Sequence, residues 1–339
     1  MKYTLLILLF ALAMSTCISK PASPLLIPIS DKLVYKSDKH AAFTAMTCHS
    51  ETIFLAFREA NVHNPKNKDG YGALKIIKRV NDINVDTVTL KCDTADLRDP
   101  FLTNINGHLR LYCFFTQRKK PTEGKRYSGT MFSDYENGVW SKFESINISS
   151  QETYILWKVR KCGESYYSIG YNMKKGPVLF CSVNGIDWKF VKRISNNGNF
   201  TEGDLIENKN KLFSIIRNED SIGSPSVIFD NETLSNAFLS RSIASPELIR
   251  YNQNTILLAG REYDFPPDKN RPDSINVTLL MLDNDFNIIN RLVLPGKRLG
   301  DKGYPSFSIN KDTIAMSYYS GTSNKSDIYI AKFLIKDQL

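Results

Sequence analysis

The chain has 339 residues, 42% of them apolar and 23% charged, and a formal net charge of +9. That is the composition of a soluble globular chain able to bury a sizeable core. The lysines and arginines are spread without a stacked basic run or an interleaved aromatic platform, which excludes nucleic acid as the expected partner and suits a polyanionic or acidic sugar better.

With 19 Phe, 16 Tyr and no long Ala/Leu/Glu/Lys stretch of helical period, the expected class is all-β. Residues 1–19 read as a signal peptide: Lys2, the apolar run "YTLLILLFALAM", then small residues. Ala11 and Ala13 offer a cleavage site, and Cys17 offers the alternative of a lipidated first residue. Export follows from either, to a secreted or periplasmic location, with a lipid anchor as the one expected membrane attachment. No later run reaches the ~20 apolar residues of a membrane span.

Residues 28–339 read as one domain built from a repeat. Six apolar runs recur, "IFLAFRE" (53–59), "LRLYCFFTQ" (109–117), "YYSIGYN" (166–172), "LFSIIRNE" (212–219), "ILLAGRE" (256–262) and "IAMSYYS" (314–320). Each follows another short strand and a turn such as "NING", "NKNK" or "NKDT", the chemistry of tight hairpins. A period of roughly 45 to 60 residues with about four strands is that of a β-propeller blade. "SDKLVYKS" stands where it can lend a strand to the last blade and close the circle. "SVNGIDW" and "SDYENGVW" are degenerate forms of the aspartate-box hairpin, a structural device.

Beyond Cys17 the five cysteines are isolated, and the four histidines are too scattered to form a ligand set by spacing. No metal and no cofactor is expected.

Three of the aligned strands end in arginine at one place: Arg58, Arg217 and Arg261. Equivalent strand ends of a propeller face a common mouth, where three guanidiniums can converge on a ligand carboxylate. The competing reading is a set of ion pairs with Glu59, Glu219 and Glu262 that hold blades together. Glu202 and Tyr304 open the first strands of the fourth and sixth units. A phenol becomes a nucleophile when a neighbouring carboxylate takes its proton; otherwise Tyr304 is an edge aromatic packed beside Pro305. His63, five residues past Arg58, and Asp69 in "NKDGYG" are the candidates for protonating a leaving oxygen. Asp99 and Glu59 are carboxylates placed to hold an arginine. Trp157, Arg160, Tyr171 and Asn172 are candidates for contact with a sugar's apolar face and hydroxyls.

"FREANVH", "DLRDP", "LWKVR...YSIGYN", "TEGDLIENKNKLFSIIRNE", "SPELIRYNQNTILLAGRE" and "GYPSFSI...IAMSYYSG" run in an order that resembles the sialidase-like glycoside hydrolases, in particular their bacterial exo-α-sialidase-family subgroup. The likeness spans nearly all of residues 40–333. It implies a six-bladed β-propeller with a glycan pocket near the axis, Arg58, Arg217 and Arg261 as the arginine triad, Glu202 as the glutamate before the second arginine, and Tyr304 as nucleophile. A neutral tyrosine escapes the repulsion that a carboxylate nucleophile meets at an anomeric carbon bearing a carboxylate, and sialidases are the known case. Phe57-Arg58-Glu59-Ala60 stands where sialidases carry Phe-Arg-Ile-Pro. The expected activity is exo-hydrolysis of a terminal acidic sugar from a glycan. A polysaccharide lyase, a uronate or deoxy-sugar hydrolase, and a catalytically silent glycan-binding propeller stand as alternatives.

Overall fold

The computed structural model describes residues 25–66, 68–117, 127–150, 152–172, 174–265, 272–296, 299–310 and 313–336. Residues 1–19, expected to be a signal peptide, and Cys17 lie outside them. Among the described residues the chain is all-β, and its one helical turn is the 3-10 segment Lys68–Gly70.

Each unit is an antiparallel meander. The innermost strands are His40–His49, Asp96–Ile105, Ile155–Cys162, Phe200–Asn208, Ile243–Asn252 and Asp301–Asn310. Each pairs with the strand that follows it: Thr52–Ala60, His108–Gln117, Ser165–Tyr171, Lys211–Asn218, Thr255–Asp264 and Thr313–Gly321. These second strands are the six apolar runs of the sequence. The innermost strands pack side by side in chain order, and the sixth returns to the first, which makes a propeller-like ring.

Six separate sheets are not what hydrogen bonding gives. Four sheets of four or five strands stand alone, and a fifth sheet has eight strands. The physical reason is a single parallel bridge, His40 opposite Ser326, which joins two meanders edge to edge. Within the eight-stranded sheet, Leu25–Tyr35 pairs antiparallel with Ser326–Lys336. The N-terminal described strand thus covers an edge that would otherwise present unpaired backbone groups.

Apolar residues fill the spaces between sheets. One cluster joins Phe54, Leu74, Leu97, Leu111, Tyr154, Phe180 and Trp188 across three units, and another joins Leu257, Leu279, Ile314, Met316 and Phe333. Trp188 closes the better of the two aspartate-box hairpins. Asn184 Oδ1 accepts from the amides of Ile186 and Asp187, and the indole donates to the Gly185 carbonyl at 3.0 Å. All five described cysteines are free.

Every innermost strand shifts register at the same place. The pairing skips two residues between Ala42 and Ala45, Arg98 and Phe101, Leu156 and Val159, Phe200 and Gly203, Ala244 and Glu247, and Gly303 and Ser306. These are β-bulges, which re-aim side chains and increase local twist. In four of them the first bulged residue is left-handed: Phe43 (φ 62°), Asp99 (φ 44°), Ser245 (φ 47°) and Tyr304 (φ 48°). In three, the second is a proline, Pro100, Pro246 or Pro305, tolerated because a bulge asks for no ladder N–H there.

Candidate active site

The bulges set one group of side chains around the near end of the ring axis. Tyr304 projects from its bulge and donates from Oη to Glu202 Oε1 at 2.9 Å. Its ring lies 4.6 Å from Phe43 and 5.7 Å from Trp157, centroid to centroid, both on bulges of their own. Glu202 is the second residue of its bulge, one step from the position Tyr304 holds in the sixth unit. Its Oε2 accepts the Ser245 amide at 2.6 Å and lies 3.2 Å from Arg217 Nη1.

Burial, then the negative charges of Glu202 and Asp99, push the Tyr304 phenol well above its ordinary range. It is therefore a neutral hydroxyl near neutral pH, hydrogen-bonded to a carboxylate, an arrangement in which a phenol can be activated as a nucleophile. Arg261 passes beside it, its Cζ 5.6 Å from the Tyr304 centroid. Gly303, at φ 145°, makes room: a Cβ there would stand 2.8 Å from Arg261 Nε.

The three sequence arginines separate. Arg217 and Arg261 are half-buried at the mouth, the first on Glu202 and the second beside the Tyr304 ring. Burial works against the charge on Arg217, but Glu202 and Glu219 outweigh it. Arg261 Nη2 lies 3.1 Å from Asp301 Oδ1 and also bonds Tyr319. Arg58 is 0% exposed. Its Nε and Nη2 donate to Asp96 Oδ1 at 3.1 and 2.8 Å, and Gly72 packs against its stem. Arg98, which the sequence reading passed over, stands nearer the surface, 5.0 Å from the Phe43 centroid.

His63 joins the cluster. Its Nδ1 lies 2.6 Å from Asp301 Oδ2, and His40 Nε2 lies 2.9 Å from the same oxygen. The nitrogens and the carboxylate fall within 4.8 Å of one another, but the set is not built for a metal. The other Asp301 oxygen is taken by Arg261 and Tyr319, the His40 Nδ1 lacks the outer partner a ligating imidazole uses, and nearby guanidiniums oppose a dication. It is a hydrogen-bonded cluster centred on Asp301.

Asp99 is half-buried at its bulge, and its Oδ1 has no hydrogen-bond partner. Burial raises its pKa to about 6, against the pull of Arg98. With Thr44, Pro100, Trp157, Lys158 and Tyr304 it lines a residual space of about 10 Å³, so the floor of the site is packed shut. Tyr171 extends the aromatic wall, 6.3 Å from Trp157.

The other expected residues stand elsewhere. Glu59 turns to the opposite side of its strand, where Tyr35 and Ser37 donate to it. Asp69 is exposed on the 3-10 turn, in a groove of about 620 Å³ shared with Lys39, Lys68 and Lys91. Asn172 caps a turn, accepting from the Lys174 amide and donating to the Thr153 carbonyl. Arg160 lies further down the axis on Asp204 and lines a groove of about 530 Å³ at the far end of the ring. Asp301 and His40 were not expected. The signal for Asp301 is its offset: it stands three residues before Tyr304 as Asp96 stands three before Asp99.

No protein-family model and no curated protein matches the sequence. Solved structures do match. A Dyadobacter fermentans protein of unknown function superposes with a TM-score of 0.74 at 14% identity, covering 92% of this chain and 99% of that one. The intramolecular trans-sialidase of Ruminococcus gnavus, in complex with oseltamivir carboxylate, gives 0.63 at 11% identity over 92% and 98%. The fold is sialidase-like. The NanB sialidase of Streptococcus pneumoniae gives 0.65 at 8% identity, over 90% of this chain and 70% of that one. Against a Trypanosoma rangeli sialidase mutant with trans-sialidase activity, the chain covers 59% of the longer partner, with a TM-score of 0.57 at 10% identity.

Proposed function

We propose that the protein is an exported exo-glycosidase of the sialidase-like kind, in the exo-α-sialidase-family subgroup, that removes a terminal acidic sugar from a glycan. The observation that carries this is the Tyr304 hydroxyl on Glu202 at 2.9 Å, with Arg217 and Arg261 beside the pair. On this reading the ring counts as six blades, the eight-stranded sheet contributing two, within one domain over residues 28–339. The two arginines hold the sugar's carboxylate, and Tyr304 attacks the anomeric carbon while Glu202 accepts its proton. His63, not the exposed Asp69, protonates the leaving oxygen. Trp157 and Tyr171 form the apolar wall. On this reading residues 1–19 are a signal peptide and the enzyme works outside the cytoplasm, free or tethered through Cys17; no helix among the described residues is long and apolar enough to cross a membrane.

Hydrolysis of fluorogenic sialosides by the full-length chain, with Tyr304→Phe as control, tests the reading. Release of free sialic acid that the substitution abolishes is the expected result, with Glu202→Gln slower by ~10² to 10⁴-fold. Cleavage of neutral sugars alone would sink the role given to the arginines. A second reading is favoured by one observation: Arg58 is sealed against Asp96 and leaves two arginines at the mouth. A lyase on an arginine-neutralised uronate, with His63 and Tyr304 as its acid and base, needs no triad. It would announce itself by the absorbance of an unsaturated product.

A further inference from the structure

One carboxylate oxygen between two imidazoles is an unusual economy, and the two rings meet different surroundings. His40 is 0% exposed, and its Nδ1 has no hydrogen-bond partner. A protonated His40 would bury an N–H with nothing to receive it, so the ring is held neutral with its proton on Nε2, donated to Asp301. Burial lowers its pKa in agreement. The His63 side chain is 23% exposed. Its Nδ1 faces Asp301 and leaves Nε2 unengaged by that carboxylate.

We propose that Asp301 and His40 are positioning residues that orient His63, through its Nδ1–H, as the proton donor of the site. The proposal rests on the glycosidase reading above. Asp301 has the means: burial alone would raise its pKa, but the hydrogen bonds from His40 and His63 and the charges of His63 and Arg261 outweigh this and keep it ionised. Two other donors fix its second oxygen, Arg261 Nη2 at 3.1 Å and Tyr319 Oη at 2.6 Å, so the carboxylate cannot swing away. The His63 backbone is pinned as well, by its amide on the Ser323 carbonyl and by Arg98 on its own carbonyl. Around the ring stand Asp301, His40 and Phe43 in contact, with the charges of Arg58, Arg98, Arg261 and Asp99 beyond them.

In the reaction, imidazolium His63 keeps its Nδ1 proton on Asp301 and passes the Nε2 proton to the glycosidic oxygen. The bond from that oxygen to the anomeric carbon breaks, its electrons staying with the oxygen. Tyr304 forms the new bond to carbon as its proton moves to Glu202. Water then displaces Tyr304, giving its oxygen to carbon and a proton to His63, while Glu202 returns the phenol proton. Neutral His40 neither gains nor loses charge.

Nitrogen NMR of the full-length chain with labelled histidine tests this without any sugar, because the chain has only four histidines. His63 should carry a proton on Nδ1, and His40 should keep its neutral Nε2–H form throughout pH 5 to 8. Asp301→Asn keeps an oxygen for Arg261 and Tyr319 and sets an amide N–H₂ where the imidazoles now donate, so it should move His63 to its Nε2–H tautomer and leave the His49 and His108 signals unmoved, the last two reporting an intact fold. An unchanged His63, a titrating His40, or a transition metal bound in equal amount by the purified chain would overturn the proposal. On sialosides, Asp301→Asn should lose far more rate with an alkyl leaving group than with nitrophenolate, which needs no acid; equal losses would also overturn it. If the unaltered protein cleaves no glycoside, the glycosidase reading fails alone, and the His63 tautomer still decides whether Asp301 controls it.

Discussion

Arg58 and Arg261 hold the same register in two different units, and each pairs with an aspartate that opens the next unit's innermost strand, Asp96 or Asp301. The first pair is sealed at 0% exposure on both sides, and the second is 13% exposed on both. Chemistry alike, surroundings unlike: one pair is a fastening and the other faces the mouth. Arg58→Ala should therefore act on stability, leaving the Asp96 charge buried without its partner at a cost of about 3 to 5 kcal/mol. Denaturant unfolding checks this, and a loss under about 1 kcal/mol would place Arg58 outside the packed interior. Asp99 gives a test with pH. Its carboxyl titrates at about 6 in the fold and near the usual ~3.9 when unfolded. The folded chain thus binds the extra proton between those values, and this group's contribution to stability falls as pH rises through that window, then stays unfavourable above it. Asp99→Asn should raise the melting temperature at pH 7 and lose that advantage by pH 4. An equal shift at both pH values would contradict the assignment. The paired roles of Arg58 were invisible in the sequence because Asp96 lies 38 residues away, on another unit's strand. Spacing put three arginines in register and said nothing of which one the next unit would cover.

The bulge is the element that makes the site. The sequence showed Tyr304 before a proline at the head of an alternating run, and the second strands were legible from their periodicity of two. The register shifts were not, since a bulge is decided by how two strands pair and not by either alone. A trace was present: Asp99-Pro100, Ser245-Pro246 and Tyr304-Pro305 fall at equivalent offsets in three units. Left-handed backbone at an aspartate, a phenylalanine and a tyrosine costs about 1 to 3 kcal/mol each and is sustained by the packed strands on either side. Gly303 belongs to the same element. Gly303→Ala sets a strained φ and a Cβ against Arg261, so it should destabilise the fold by about 1 to 3 kcal/mol and raise KM for an acidic substrate more than it lowers kcat. An unchanged KM would remove Arg261 from ligand binding.

At the scale of the molecule, the ring closes through the pairing of Leu25–Tyr35 with Ser326–Lys336, fastened by Tyr318 donating to Asp31 at 2.7 to 2.8 Å. A chain lacking residues 25–35 should bare the edge of Ser326–Lys336, melt at lower temperature and associate on gel filtration. A monomer of unaltered melting temperature would deny that strand a closing role. The closing strand also sets a direction. Following the register outward from Tyr304, Asp301 lies opposite Gly321, Gly321 opposite Ser326, and Tyr35 opposite Ile328, all at the mouth; Leu25 lies opposite Lys336 at the other end. A leash attached ahead of Leu25, such as a lipid on Cys17, would hold the protein by its underside. The Tyr304 mouth would then look outward, away from the anchoring surface and toward glycans arriving from the medium.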